Sequence, residues 1–354
     1  MAADSKTCSN CGLPKGVGRG NIWHPNGVIT ARHPPYIRGT LYDVDELNNL
    51  VSKLSERMQF DITPLVVEGK RKDGVRFMDS LLGNLKEMGT ELPPSIEIYR
   101  MVCRFCATWG LGRVEVAEYE EGEKGSLKVE DVYSIPMFSG DSAGTFEAVE
   151  RKRWDVKWHG DAESVVLELV VSEGEPEMEQ RIEQEVEMGI PCLEGGDLEY
   201  RLCPECSAPL EISAQFEWDE SRACITERDS EKRYILHNTN GIVAVVRSLH
   251  EELGEEVEAI ITDISRAYAR DYYSGIKGDS SIDAELYKFP LRSWGRPTRL
   301  LRRRDSRSIT IINSYSPTVV AGRLWGLLEA FEERDLALQE LREEEGVLDL
   351  VLTI

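Results

Sequence analysis

The chain has 354 residues, 41% of them apolar and 30% charged, with a formal net charge of −22. This fits two globular domains of about 100–200 residues each rather than a disordered chain. No run approaches the roughly 18 apolar residues of a spanning helix, and so acidic a chain lacks the cationic footprint of a general nucleic-acid binder.

The opening MAADSKT carries no apolar signal region, so the expected compartment is the cytoplasm. Thiols stay reduced there, and Cys-x-x-Cys pairs read as metal or redox sites rather than disulfides. The first such pair stands in CSNCGLP, residues 8–14. A β-hairpin follows, with Trp23 on its first strand and HPNG at its turn. Apolar periodicity predicts helices over 43–59 and 62–90. Next comes SIEIYRMVCRFCATWG, a helix or the approach to one, with Cys103 and Cys106 among apolar neighbours. A strand pair (GRVEVAEYEEGEKGSLKVEDVYS), a helix carrying Gly140-x-x-x-Gly144 and a last strand (SVVLELVV) complete the first half.

The acidic run EGEPEMEQRIEQEVEMGIP, residues 173–191, reads as an exposed linker. We divide the chain into a first domain at 1–172, a linker at 173–200 and a second domain at 201–354. The second domain repeats the order: CPECSAP (203–209), a hairpin with Trp218 and DESRA, helices over 238–253 and 255–276, a strand pair, a helix in GRLWGLLEAF, and a last strand.

The repetition extends to single residues. One fixed offset places Cys8, Cys11, Pro14, Trp23 and Arg71 on Cys203, Cys206, Pro209, Trp218 and Arg266. An offset thirteen residues shorter aligns YSIPMFSGDSAGTFEAVE (133–150) with YSPTVVAGRLWGLLEAFE (315–332), each preceded by a Trp-Gly pair, Trp109-Gly110 and Trp294-Gly295. We read the chain as an internal duplication. Its fold class is α+β: two tandem repeats, each a zinc knuckle and β-hairpin followed by helices packed on an antiparallel sheet.

A helical half, Trp-Gly, two strands, GRLWGLLEAF and a final strand together resemble the 4-vinyl reductase, or hydrocarbon-binding, domain. The resemblance implies a fold that holds an apolar ligand between helices and sheet, often as a regulatory module. It transfers no catalytic residue. Many domains of that family carry a Cys pair after the last helix, and neither copy here has one there. The resemblance therefore brings no metal site of that kind.

Each knuckle offers two thiolates, half of a tetrahedral zinc site. The other half would come from the second knuckle, from Cys103 and Cys106, or from a ligand such as His24. Because each copy keeps one knuckle and the second copy lacks a further pair, we assign zinc to Cys8, Cys11, Cys203 and Cys206. The rival sets Cys103 and Cys106 with the first knuckle and leaves the second unfilled or completed by Cys192 or Cys224.

Five scattered histidines, among them His237, show no nucleophile pattern. GVGRGN reads as a flexible turn, and GDSAG and GRLWG as close approaches of a helix to the sheet. Trp109, Tyr133, Trp294 and Tyr315 are candidate ligand contacts. Arg299, Arg302, Arg303 and Arg304 form a basic hairpin in an acidic chain. Its expected partner is an acidic surface, such as the hairpin bearing Glu115, Glu118, Glu120, Glu121 and Glu123, or another protein, with nucleic acid less favoured. The resulting expectation is a non-enzymatic apolar-ligand sensor or accessory protein with structural zinc. The alternatives are an interaction module docking through the arginines, or a redox enzyme using Cys103 and Cys106.

Overall fold

The structure, a computed structural model, describes residues 7–34, 36–87, 89–173, 192–278 and 280–354. Most of the acidic run lies outside them. The first half comprises α1 (Lys15–Gly20), β1 (Asn21–Trp23), β2 (Ile29–Ala31), β3 (Arg38–Asp43), α2 (Val44–Met58), α3 (Thr63–Glu87), α4 (Ser95–Trp109), β4 (Arg113–Glu120), β5 (Lys124–Glu130), α5 (Ile135–Glu150), β6 (Trp154–Gly160) and β7 (Ser164–Val171). The second follows the same order of elements: α6 (Leu210–Gln215), β8 (Phe216–Asp219), β9 (Cys224–Glu227), β10 (Arg233–Asn238), α7 (Asn240–Leu253), α8 (Glu256–Ile276), α9 (Ile282–Leu291), β11 (Arg296–Arg302), β12 (Ser306–Ile312), α10 (Pro317–Glu332), β13 (Ala337–Glu344) and β14 (Val347–Thr353).

The fold is mixed α+β with antiparallel sheets. A six-stranded sheet runs β1-β2-β3-β10-β9-β8, so both halves contribute to it. They meet at its centre, where Leu41 of β3 stands opposite Leu236 of β10. Two further four-stranded sheets, β4-β5-β7-β6 and β11-β12-β14-β13, are each drawn from one half alone. Their inner strands alternate cleanly: Val165, Leu167 and Leu169 of β7 and Leu348, Leu350 and Leu352 of β14 are fully buried. This is the period-two signature of a sheet with one face on the core.

Local chemistry sets the helix limits. Asp43 caps α2 by accepting the N–H groups of Asp45 and Glu46, the usual remedy for the unpaired donors of a first turn. Leu47, Leu50 and Leu54 then form its buried stripe. That stripe turns toward the other half, since α2 packs on α8 and α7 packs on α3. Both halves thereby supply helices to each other's cores.

The expected helices appear within three residues of their limits, and several details differ. The glycines of GDSAG and GRLWG face a helix, not the sheet. A Cβ on Gly144 would sit 2.2 Å from the Arg71 carbonyl oxygen in α3, and one on Gly326 would sit 2.3 Å from that of Arg266 in α8. GVGRG is not a loose turn but part of α1, with Gly18 pressed on the opposite knuckle. The two Trp-Gly pairs occupy different places: Gly110 (φ 78°) caps α4, whereas Gly295 (φ 116°) directly precedes β11, as Gly112 (φ 127°) precedes β4. Strands β6 and β13 were not foreseen. Every residue of β13 is exposed, so it shows no alternation of burial to read.

Candidate functional site

Two features draw chemistry-bearing residues together: a cysteine cluster between the halves and an apolar cavity in the first half. In the cluster, the Sγ atoms of Cys8 and Cys203 are 3.6 Å apart and those of Cys11 and Cys206 are 3.5 Å apart. All four lie within 4.8 Å of one another, and none forms a disulfide.

The two knuckles are built alike. The N–H of Cys8 donates to Leu13 and that of Cys203 to Ala208, both at 2.8 Å. Gly12 (φ 78°) and Ser207 (φ 66°) take the left-handed turn after the second cysteine, and their N–H groups return to the carbonyls of Cys8 and Cys203 at 2.9 Å. Pro14 and Pro209 then stand directly before α1 and α6. The fixed φ of proline suits a helix start, and its missing N–H costs nothing there.

Polar side chains tie each knuckle to the other. Glu205 accepts from Cys8 Sγ (3.1 Å) and Ser9 Oγ (2.8 Å) and pairs with Lys15 (3.1 Å). Asn10 Nδ2 donates to Cys203 Sγ at 3.2 Å. Burial works against ionising Cys203, but hydrogen bonds from Asn10 and the Cys206 and Glu205 backbones outweigh it and pull the thiol down to about 6. One member of the set is thus held near its thiolate form, the form that binds metal.

The cavity, of about 360 Å³, lies between α3, α4 and α5, the β4–β5 face, and the β3–β10 centre. Its walls include Phe77, Met78, Tyr99, Phe105, Trp109 and Phe146. Trp109 stacks on Phe105, with ring centroids 5.7 Å apart, and Phe105 is 42% exposed. Polar groups gather at Asp73, Asp141, Ser142, His237 and Asn238. Asp141 pairs with Lys70 Nζ (2.9 Å), accepts from Tyr133 OH (3.0 Å) and faces His237 Nε2 (3.4 Å). Burial opposes its charge, yet Lys70 and His237 more than compensate and hold its carboxyl below the usual carboxylate range.

At the positions of α10 that align in sequence with Ser142 and Thr145 of α5 stand Leu324 and Leu327, and Tyr272, Tyr273, Phe289 and Arg292 of the second half are buried. The Arg292 guanidinium pairs with Glu227, which also accepts from Tyr272 OH at 2.9 Å.

Of the candidate ligand contacts, Trp109 is on the cavity wall. Tyr133 is packed behind it, holding Asp141. Trp294 is buried in the second half and donates to the Leu41 carbonyl, and Tyr315 packs edge-on against Tyr42 with centroids 5.3 Å apart. Cys103 and Cys106 line the cavity rather than joining the cluster. Burial pushes the Cys103 thiol up to about 11 and raises that of Cys106 as well, opposite to what a reactive thiolate needs. Cys192 is exposed, and Cys224 begins β9. His24 pairs with Thr30 at 2.7 Å.

Arg299, Arg302, Arg303 and Arg304 are exposed on the β11–β12 hairpin. Among the described residues no ion pair joins them to the acidic hairpin, where Glu118 and Glu120 of β4 pair with Lys124 of β5 in the same hairpin.

Sequence reasoning missed Asp73, Phe77, Asp141 and His237. A signal was present where GDSAGTFE aligns with GRLWGLLE: the first segment has the same glycines that seat the helix but lacks the long side chains, leaving room beside it.

No family model and no curated protein matches the chain, and no helix among the described residues is long and apolar enough to cross a membrane. Among solved structures it is similar to the phenol-responsive sensory domain of the transcription activator PoxR with phenol. That match has 12% identity and a TM-score of 0.33, covering 40% of this chain and 87% of that one.

Proposed function

We propose that the protein is a non-enzymatic binder of an apolar small molecule, acting as a sensor or accessory factor, whose four-cysteine cluster holds structural zinc. The cavity carries this reading. Its volume of about 360 Å³ falls within the range of small-molecule sites. An apolar ligand seated there would remove the aromatic walls from water, which is the driving force for binding in such a site.

Zinc fits the cluster. A tetrahedral site with Zn–S bonds of about 2.3 Å has sulfurs about 3.8 Å apart, close to the spacings of 3.5 and 3.6 Å seen here. Four thiolates leave no position for a reacting water, so the role is to clamp the halves together. The repeated order of elements supports descent by duplication, with ligand binding kept in the first copy. The resemblance to 4-vinyl reductase domains agrees with a ligand held between helices and sheet.

Native mass spectrometry of the purified chain tests both parts. One zinc per chain and a retained or titratable apolar ligand are expected. Ser142→Leu with Thr145→Leu, which restores the second-half side chains, should abolish that binding. A cavity that neither retains nor takes up any apolar molecule would overturn the reading. It would favour instead an interaction module using the four exposed arginines, which have no ion-pair partner among the described residues.

A further inference from the structure

The outer face of the sheet β11-β12-β14-β13 differs from that of its equivalent in the first half. Ile309 and Ile311 of β12 and Leu348, Leu350 and Leu352 of β14 are buried. The alternate residues of these two inner strands therefore turn outward, where they are half-buried. Of those eight outward positions, four between Ser306 and Ile312 and four between Val347 and Thr353, one is charged. It is Asp349, whose carboxylate accepts from the Thr310 hydroxyl. The equivalent eight in β5 and β7 include Lys124, Lys128, Glu130 and Glu168. A strip poor in charge with a charged rim is the pattern of a protein-binding face.

The rim charges collect at two diagonal corners. Arg302 stands opposite Arg307 at the end of the sheet that also holds Thr353 and Ala337, and Arg303 and Arg304 follow in the turn. Glu344 stands opposite Val347 at the other end and on the other edge, with Glu343 before it and Glu345 after it. All six are exposed. Asp305 offsets one of the arginines, and Arg342, paired with Glu344, offsets one of the glutamates. Each corner keeps an excess of its own sign. At the remaining two corners Arg296 pairs with Asp197, and Asp335 with Arg270.

We propose that this face is where two copies of the chain meet, around a two-fold axis that lies in the interface at about 45° to the strands. Four strands of about seven residues make a face roughly 19 Å by 24 Å, close to square. Turning a second copy over about one diagonal lays each arginine corner on the glutamate corner of the other copy, twice by symmetry. The other diagonal would set arginine on arginine. Strands of the two copies then cross near right angles, one of the two ways in which sheets pack face to face. A nucleic acid would pair with the arginines but would meet the glutamates and leave the uncharged strip uncovered. So small a face makes a weak, exchanging dimer rather than a permanent one.

The test is sedimentation of the full chain, freed of nucleic acid, from low to several hundred micromolar. A reversible monomer–dimer equilibrium is expected, weakened at least about tenfold between low and high salt as the ion pairs are screened. Reversing the first corner (Arg302→Glu, Arg303→Glu, Arg304→Glu) or the second (Glu343→Arg, Glu344→Arg, Glu345→Arg) should each leave a monomer. Mixing the two variants should restore association as a heterodimer, since both corners again oppose in sign. Val351→Lys, at the centre of the face, should abolish the dimer, and Lys128→Glu on the first sheet should leave it unchanged. Wild type that stays monomeric throughout overturns the proposal, as does a mixture that fails to associate or a dimer indifferent to Val351→Lys. Monomeric wild type that binds RNA through the arginines would assign the corner to nucleic acid instead. If a triple variant fails to fold, the wild-type series with Val351→Lys still decides.

Discussion

Replacing Cys203 by Ser tests the metal assignment most directly. The four sulfurs come from knuckles separated by 195 residues between Cys8 and Cys203, so a metal holding them closes a very long loop. In the chain-entropy picture such a closure removes about 5 kcal/mol of freedom from the unfolded ensemble. Apparent zinc affinities of structural sites, about 10–16 kcal/mol in peptides, are ample to supply it. A serine hydroxyl stays protonated at neutral pH and is a poor zinc ligand, and Cys203 is the member of the set held nearest its thiolate form. The expected result is loss of one zinc per chain and a melting temperature lower by on the order of 10 °C. Cys103→Ser should keep its zinc, because Cys103 lies on the cavity wall. The assay is elemental analysis of the purified variants with calorimetric melting before and after chelation. Zinc retained by Cys203→Ser and lost by Cys103→Ser would refute the pairing. Equal melting of metal-loaded and chelated wild type would refute the clamp.

Two further perturbations probe the frame around the cavity. Gly144→Ala should destabilise by about 1–3 kcal/mol, because its Cβ meets backbone atoms of Arg71 and Val75 at 2.2 and 2.9 Å. Gly83→Ala in α3, with nothing within 4 Å, should instead stabilise by about 0.5–1 kcal/mol; urea denaturation of the two separates these signs. Asp141→Asn breaks a buried ion pair with Lys70 and should cost about 3–5 kcal/mol at neutral pH. Because the folded carboxyl of Asp141 titrates below its usual range, its contribution is present above the unfolded pKa of about 3.9 and fades as pH falls through the folded value. The gap between wild type and variant should therefore narrow in acid, and a gap constant with pH would contradict the pairing.

Much of the cysteine cluster was legible in the sequence because its information is local. Cys-x-x-Cys, the left-handed residue after it and the proline opening the next helix are set by backbone sterics within a few residues. A half-site written twice then calls for a partner. The long helices were legible for the same reason, since the stripes Leu47, Leu50, Leu54 and Ile242, Val245, Leu249 state which face is buried. They do not state what covers that face. Only the tertiary structure decided that α2 lies on α8 and α7 on α3, and that Gly144 and Gly326 face helices. The cavity is likewise a property of packing. An absent side chain at Ser142 or Thr145 becomes space only when α3, α4 and the sheet close around it. The polar cluster joins Asp73, Asp141 and His237 from three distant elements, which no short-range pattern connects.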